Sequence, residues 1–443
     1  MIKKIVLLVL LPVLVTVAYL FGSDDNFLGV YALSLMIGGL FMTFVTQKPL
    51  WGVLSIAISM HWVEMSGMSA SFFMFAPFAA LLFFYVTSRD HVRIDRRWLL
   101  MGVWTLCYTA LVYAVKPYPI NNEFFYMNLV SFFVFMVSAC IRWDSKSVHT
   151  FLSAYLVFAV GWSVVERLVS SELRIVGPTM SSTNFAVLLV VAWTMWFING
   201  FLVQKTRMLH LVLMTFLVFV SILFSGTRMG LLGLMGGLML AVLSKYVVLL
   251  RDQMVRLMVR VAIAFVGVAI LVVVVWNMLP DDLFLKQGLS TLLRGDMDPS
   301  SLGRIGAWLT AIDCIQNNPV WGIGPGNFLE KNKEFLEMAS FLPKVEQLPR
   351  LGHAHNLFLK TWSEQGFVGI VGLGFVVINC VGCMVGYLRK HCDGFVLAMF
   401  SGLIVTLCLG MIDVFPLFPS SLGWGAWLMS VMFSMRDNKE ARA

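Results

Sequence analysis

The feature that most constrains this chain is a succession of mostly apolar stretches, many of them long enough to cross a hydrocarbon layer as helix. Met208–Ser225, 257–279 and 367–388 are mostly apolar throughout, and about 20 residues at a rise of ~1.5 Å span a core of roughly 30 Å. In lipid the backbone has no water to bond to, so each stretch must satisfy its own N–H and C=O groups. Short segments of strictly alternating polarity, the mark of a membrane barrel, are missing, and helix is the remaining solution. Composition agrees: 59% of the 443 residues are hydrophobic and 13% charged, more apolar surface than one soluble core can hide. The chain reads as an all-α, polytopic transmembrane bundle.

Cutting at the polar breaks places spans near 5–21, 27–46, 50–65, 69–88, 98–115, 127–141, 149–165, 185–203, 208–225, 231–249, 257–279, 367–388, 395–411 and 421–435. That makes fourteen; re-entrant or fused helices at the short third span and around 226–230 would lower the number to about twelve. The first stretch follows Lys3 and Lys4, and Gly22-Ser-Asp-Asp-Asn26 lacks a small-x-small cleavage site, so it is read as a retained span. The net charge of +8 does not form one patch suited to nucleic acid. Basic residues collect in alternate loops (Arg89, Arg93, Arg96 and Arg97; Lys205 and Arg207; Lys245, Arg251 and Arg256; Arg389 and Lys390), while the opposite short loops hold Lys116, Arg167, Arg174 and Arg228. By the positive-inside rule both termini are cytoplasmic and the long segment 280–352 is on the outer face. Three regions follow: N-terminal helices over 1–279, a large outer loop over 280–366, and C-terminal helices with a cytoplasmic tail over 367–443.

Within the loop, apolar residues at Leu302, Ile305, Trp308, Leu309, Ile312 and Ile315 have helical spacing. A serine can cap the start of this helix, and Asn317-Asn318-Pro319 stops it. Gly322, Gly324, Pro325 and Gly326 then demand tight turns, and a second helix is expected to begin around His355 and feed the span at Phe367.

The chemistry-bearing residues gather at the outer face. Arg228 sits at the mouth of two spans, Arg304 in the first turn of the loop helix, and His353 and His355 just before the chain re-enters the membrane. Guanidinium groups offer a fixed fork of donors to phosphate oxygens, and an imidazole can take a proton from a hydroxyl near neutral pH. Together they suit transfer of a group from a lipid-linked diphosphate to an alcohol, the diphosphate leaving as an anion held by arginines. Arg167 and Arg174 are read instead as headgroup anchors, and His61, His91, His149, His210 and His391 as structural polar residues. Cys380-x-x-Cys383 lies in a span without a second pair and is read as small-residue packing. No outer-face Asp-x-Asp and no His/Cys cluster is visible along the chain, so neither metal nor other cofactor is expected. A transporter would place its ionisable groups near the bilayer midplane, where this chain has few.

The set Arg304, Asn318-Pro319-Val-Trp-Gly322-Ile-Gly324-Pro-Gly326-Asn-Phe328, His353-Ala-His355-Asn356 and Glu364-Gln-Gly366-Phe-Val-Gly369 resembles the bacterial O-antigen ligase and polymerase family. The likeness is specific from about 180 to 380. The ligase branch shows arginine with leucine three residues on, as in Arg228-Met-Gly-Leu231, and a histidine and polar residue followed after nine residues by glycine, as from His355-Asn356 to Gly366. Its next threonine is replaced here by Gly369, which leaves ligase and polymerase both open. The resemblance implies a GT-C-like bundle of the bacterial inner membrane and a metal-independent, inverting glycosyltransferase working on the periplasmic face. It implies that Arg228 and Arg304 bind the diphosphate of an undecaprenyl-linked glycan donor, with Asn356 orienting an imidazole or a phosphate. His355 would be the general base and His353 its alternative. The acceptor would be lipid A-core oligosaccharide in a ligase, making lipopolysaccharide, or another lipid-linked glycan in a polymerase.

Overall fold

The structure, a computed structural model, describes residues 143–169, 174–175, 181–249, 299–339, 350–391, 393–413, 428 and 431–432. The expected spans from 5–21 to 127–141 and that at 257–279 lie outside these residues, and 421–435 almost wholly so. Among the described residues there are eight helices and no strand: α1 Ser145–Val169, α2 Ser182–Leu202, α3 Met208–Ser225, α4 Arg228–Leu249, α5 Pro299–Asn317, α6 Phe328–Met338, α7 Leu357–His391 and α8 Gly394–Gly410. Five of them, α1, α2, α3, α4 and α7, are long and apolar enough to cross a membrane. The protein is a polytopic helical membrane protein.

The chain divides into two compact units. Little of the first, Met1–Val157 with Pro178–Ser181 and Leu417–Ala443, is described. There α1 is opened by Asp144, whose carboxylate accepts from the Ser147 N–H at 2.7 Å, and Trp143 packs edge-on to Phe151. The second unit, Phe158–Gly177 and Ser182–Pro416, holds all the residues discussed below.

Its centre is α2, buried on almost every side. Glycines in α4 let that helix approach closely. A methyl group at Gly230 would stand 2.8 Å from Ala186 Cβ, and one at Gly233 would stand 3.0 Å from Val190 and 3.2 Å from Leu409. This is the small-residue packing that substitutes in lipid for a hydrophobic driving force. Gly394 meets Leu202 while Gly402 meets Met195, so α8 runs antiparallel to α2; Gly230 meets Ala186 while Gly237 meets Thr194, so α4 runs parallel to it. The starts of α2 and α4 and the end of α8 therefore share one end of the bundle. One face of α3 buries Leu211, Val218 and Ile222, while Leu209, Val212 and Phe216 are more than half exposed on the other, a lipid-facing pattern. Between α3 and α4 the chain breaks at Gly226, whose φ of 63° is left-handed and whose N–H donates to the Leu223 carbonyl, so the two spans are separate helices.

The outer-loop helices form a small core of their own from Ala307, Ala311, Cys314, Ile323, Phe328 and Ala354. Helix α5 covers the helically spaced apolar residues from Leu302 to Ile315 and ends at Asn317, whereas α6, short and rich in charge, has no counterpart in the sequence reading. Asn332 of α6 is fully buried; its amide donates to Thr310 Oγ1 of α5 at 3.0 Å and accepts from the Leu351 N–H at 2.9 Å, bolting both helices to the segment that leads to the histidines.

Helix α7 begins inside the expected loop, at Leu357, and continues through it into the membrane with a break at Gly366 (φ 68°, ψ −165°). The glycine-rich turn fills that break. Ile323 and Gly324 donate to the carbonyls of Ser363 and Glu364 at 2.9 and 3.0 Å, and Phe367 donates to that of Pro319 at 2.8 Å. A side chain on Gly322 would overlap the Glu364 carbonyl, and one on Gly366 the Val320 carbonyl.

Candidate active site

The end of α8 and the start of α7 are stitched together by two side chains. Asn356 is the N-cap of α7: its Oδ1 accepts from the N–H groups of Phe358 and Leu359 at 2.9 and 3.0 Å, and its Nδ2 donates to the Met411 carbonyl at 2.7 Å. Next to it, His355 Nδ1 lies 3.1 Å from Asp413 Oδ1. The Asp413 side chain is only 2% exposed and that of His355 19%. A buried carboxylate accepts, so Nδ1 carries the proton and the Nε2 lone pair is left for other partners.

His355 adopts a left-handed φ of 45°, unusual for a residue with a side chain. Such backbone costs roughly 1–3 kcal/mol and persists only where the surroundings enforce it. Here it brings two alternate histidines together: the rings of His353 and His355 have centroids 4.2 Å apart, and the His355 N–H points at His353 Nδ1 at 3.4 Å. Burial lowers the His353 pKa to about 3; His355, Lys360 and Arg304 push the same way, against Asp413. That places Arg304, from α5, in the field of the histidine pair.

A second cationic corner lies at the start of α4. Arg228 is the first residue of that helix, where a cation meets the positive end of the macrodipole. Arg174 joins it: Nε donates to the Ser225 carbonyl at 3.1 Å and a terminal nitrogen to Ser182 Oγ at 2.7 Å. Its pKa is lowered by burial and then by Arg228. Two guanidinium groups close enough to repel, beside the starts of α2 and α4, suit an anion. Leu409, which Gly233 touches, is four residues from Asp413 and Gly233 five from Arg228, so Arg228 and the histidine–aspartate pair lie toward the same end of the bundle.

The structure thus places His353, His355, Asn356 and, by its field, Arg304 in one neighbourhood, and Arg228 in another at the same bundle end. Two participants lay beyond the sequence reading. Asp413 sits 58 residues from His355, just after a span, where an outer-face carboxylate was its only signal. Arg174, read from the sequence as a headgroup anchor, lies close enough to Arg228 for the two guanidinium groups to repel, and Arg167 stacks 5.6 Å over Phe224. Folding also assembles donors that are scattered in the sequence: His353, His355 and Asp413 offer ligand atoms within 4.8 Å of one another, a group that could hold a metal ion. Chemically, the set offers an imidazole backed by a carboxylate and flanked by cations at a membrane boundary.

No curated protein matches the chain. Residues 213–374 match the family model described as O-antigen ligase, a stretch running from α3 past the break in α7 and containing Arg228, Arg304, His353, His355 and Asn356.

Proposed function

We propose that the protein transfers a glycan from undecaprenyl diphosphate to a sugar hydroxyl at the periplasmic face of the bacterial inner membrane. The observation that carries the reading is the His355–Asp413 pair at the boundary of a membrane-spanning helix, with a cation beside it. His355 Nε2 takes the acceptor hydroxyl proton as the acceptor oxygen attacks the anomeric carbon. The bond from that carbon to the diphosphate oxygen breaks on the opposite side, the electron pair leaves with the lipid diphosphate, and the configuration inverts. Asp413 holds the ring and stabilises the imidazolium. His353, with a pKa of about 3, is too weak a base to serve at neutral pH, which favours His355.

Arg228 and Arg304 hold the diphosphate, and the position of Arg174 adds it to the Arg228 corner. Asn356 acts by fixing the start of α7. A leaving diphosphate held by guanidinium groups needs neither a proton nor a metal to depart, so the reaction is metal-independent.

The acceptor is lipid A-core oligosaccharide, making the enzyme a ligase of lipopolysaccharide biosynthesis; the polymerase alternative uses the same atoms on a second lipid-linked glycan. Reconstitution of the full chain with an undecaprenyl-diphosphate glycan and either acceptor, in chelator, tests all of this. Product on lipid A-core supports the ligase, chain lengthening without core selects the polymerase, and wild-type turnover by His355→Ala removes the mechanism.

A further inference from the structure

One ionisable pair near the histidines is used by nothing above. Lys360 lies on α7 one turn beyond Asn356, its side chain 15% exposed, and its Nζ is 4.0 Å from Oε1 of Glu364, which is 1% exposed. That separation exceeds hydrogen-bond reach. Glu364 is anchored through its other oxygen, which accepts from the Gly326 N–H at 3.2 Å, while Oε1 has no hydrogen-bond partner among the described residues. The glycine-rich turn therefore holds the carboxylate, and the carboxylate draws the ammonium by charge without consuming its donors. The half-buried ammonium keeps its three N–H donors for oxygen acceptors. Helix α5, which carries Arg304, packs on α7, and Lys360 and Arg304 both act on His353.

We infer that Lys360 is a further cation of the donor site, binding diphosphate oxygens together with Arg304, and that Glu364 positions it. The inference rests on the donor reading above and adds a residue to it. Lys360 serves as a mobile point charge, and the loose 4.0 Å pairing lets Nζ swing from Glu364 to the ligand.

Inorganic pyrophosphate is the probe, titrated by calorimetry into the full-length protein in detergent, so that the readout does not depend on turnover. Lys360→Met is expected to weaken binding by roughly 10–100-fold, the size of a charge-assisted contact, and Lys360→Arg to keep it within a few-fold. Glu364→Gln, which leaves the ammonium in place but less well positioned, should weaken binding by a smaller factor than Lys360→Met, about a few-fold. A merely structural ion pair behaves differently: Lys360→Met and Glu364→Gln would then do equal harm, and the double variant would recover binding. That pattern, or unchanged affinity in Lys360→Met while Arg304→Ala loses it, overturns the role of Lys360 alone. Failure of the wild type to bind pyrophosphate at all overturns the donor site together with it.

Discussion

The α2–α4–α8 bundle and the assembly of α5, α6 and the first limb of α7 solve burial in opposite ways. In that bundle and the neighbouring α1 and α3 the buried polar residues are neutral, and several hydroxyls bond back to their own helix: Ser163 to the Val160 carbonyl, Ser225 to that of Ile222, Thr406 to that of Gly402. Such bonds are local and ask nothing of the tertiary structure. At the loop assembly and its junction with α8 the buried set includes two carboxyl groups, Glu364 and Asp413, together with an asparagine bolt and left-handed backbone at His355 and Gly366. Buried charge and strained backbone cost free energy, so their concentration in one region marks where the fold serves chemistry more than stability.

Replacing Asp413 by Asn should have the largest consequence. An amide can donate to His355 Nδ1, which turns the ring to the wrong tautomer while the 3.1 Å contact survives. Transfer is expected to fall by roughly 10²–10⁴-fold, the range for loss of general base catalysis, with little change in melting temperature. A loss of stability as large as the loss of turnover would mean that Asp413 braces α8 against α7 and no more.

Gly366→Ala attacks the same region through its backbone. The left-handed φ of 68° resists a side chain, and the new methyl would overlap the Val320 carbonyl. The glycine-rich turn must then release α7, at a cost of roughly 1–3 kcal/mol or more, and Glu364 loses its hold on Gly326. Limited proteolysis should cut the outer loop faster and turnover should drop, while the bundle stays protected. Equal proteolysis of both regions would dissolve the contrast between them. Gly233→Leu is the mirror test in the bundle. Overpacking against Val190 and Leu409 should lower thermal stability by about 1–3 kcal/mol, with turnover per folded molecule nearly kept.

The same contrast explains what could be read from the sequence. Helix α3 ends where an apolar run meets Arg207 and Gly226, and α5 follows from the spacing of its apolar residues, because both depend on local pattern alone. His353, His355 and Arg304 were legible as polar residues placed against a membrane boundary. Asp413 was not, since its meeting with His355 requires α8 to run antiparallel to α2 and α7 to dock on its end. Arg174 escaped for the same reason: one arginine near a span is ambiguous, and only folding sets it beside Arg228. Helix α6 is short and charged, and its helical signal lies mainly in Phe328, Asn332 and Leu336, which it buries against its neighbours.

Acid gives the gentlest test, because at neutral pH it should do nothing. His353 has its pKa lowered from 6.5 to about 3, first by burial and then by His355, Lys360 and Arg304, with Asp413 opposing. Well above pH 6.5 neither the folded nor the unfolded imidazole is protonated, and His353 contributes no pH dependence. Between about 6.5 and 3 the unfolded chain binds a proton that the folded chain refuses. Stability therefore falls as pH drops through this window, by up to about 1.4 kcal/mol per unit from this residue. The loss should appear first as proteolytic opening of the outer loop, with the neutral polar groups of the bundle unaffected. His353→Gln, which cannot be protonated, should flatten that part of the slope while leaving the melting temperature at neutral pH close to the wild type. If the variant opens with the same acid dependence, the sensitivity comes from the carboxyl groups at the junction, and Asp413 and Glu364 become the next residues to titrate.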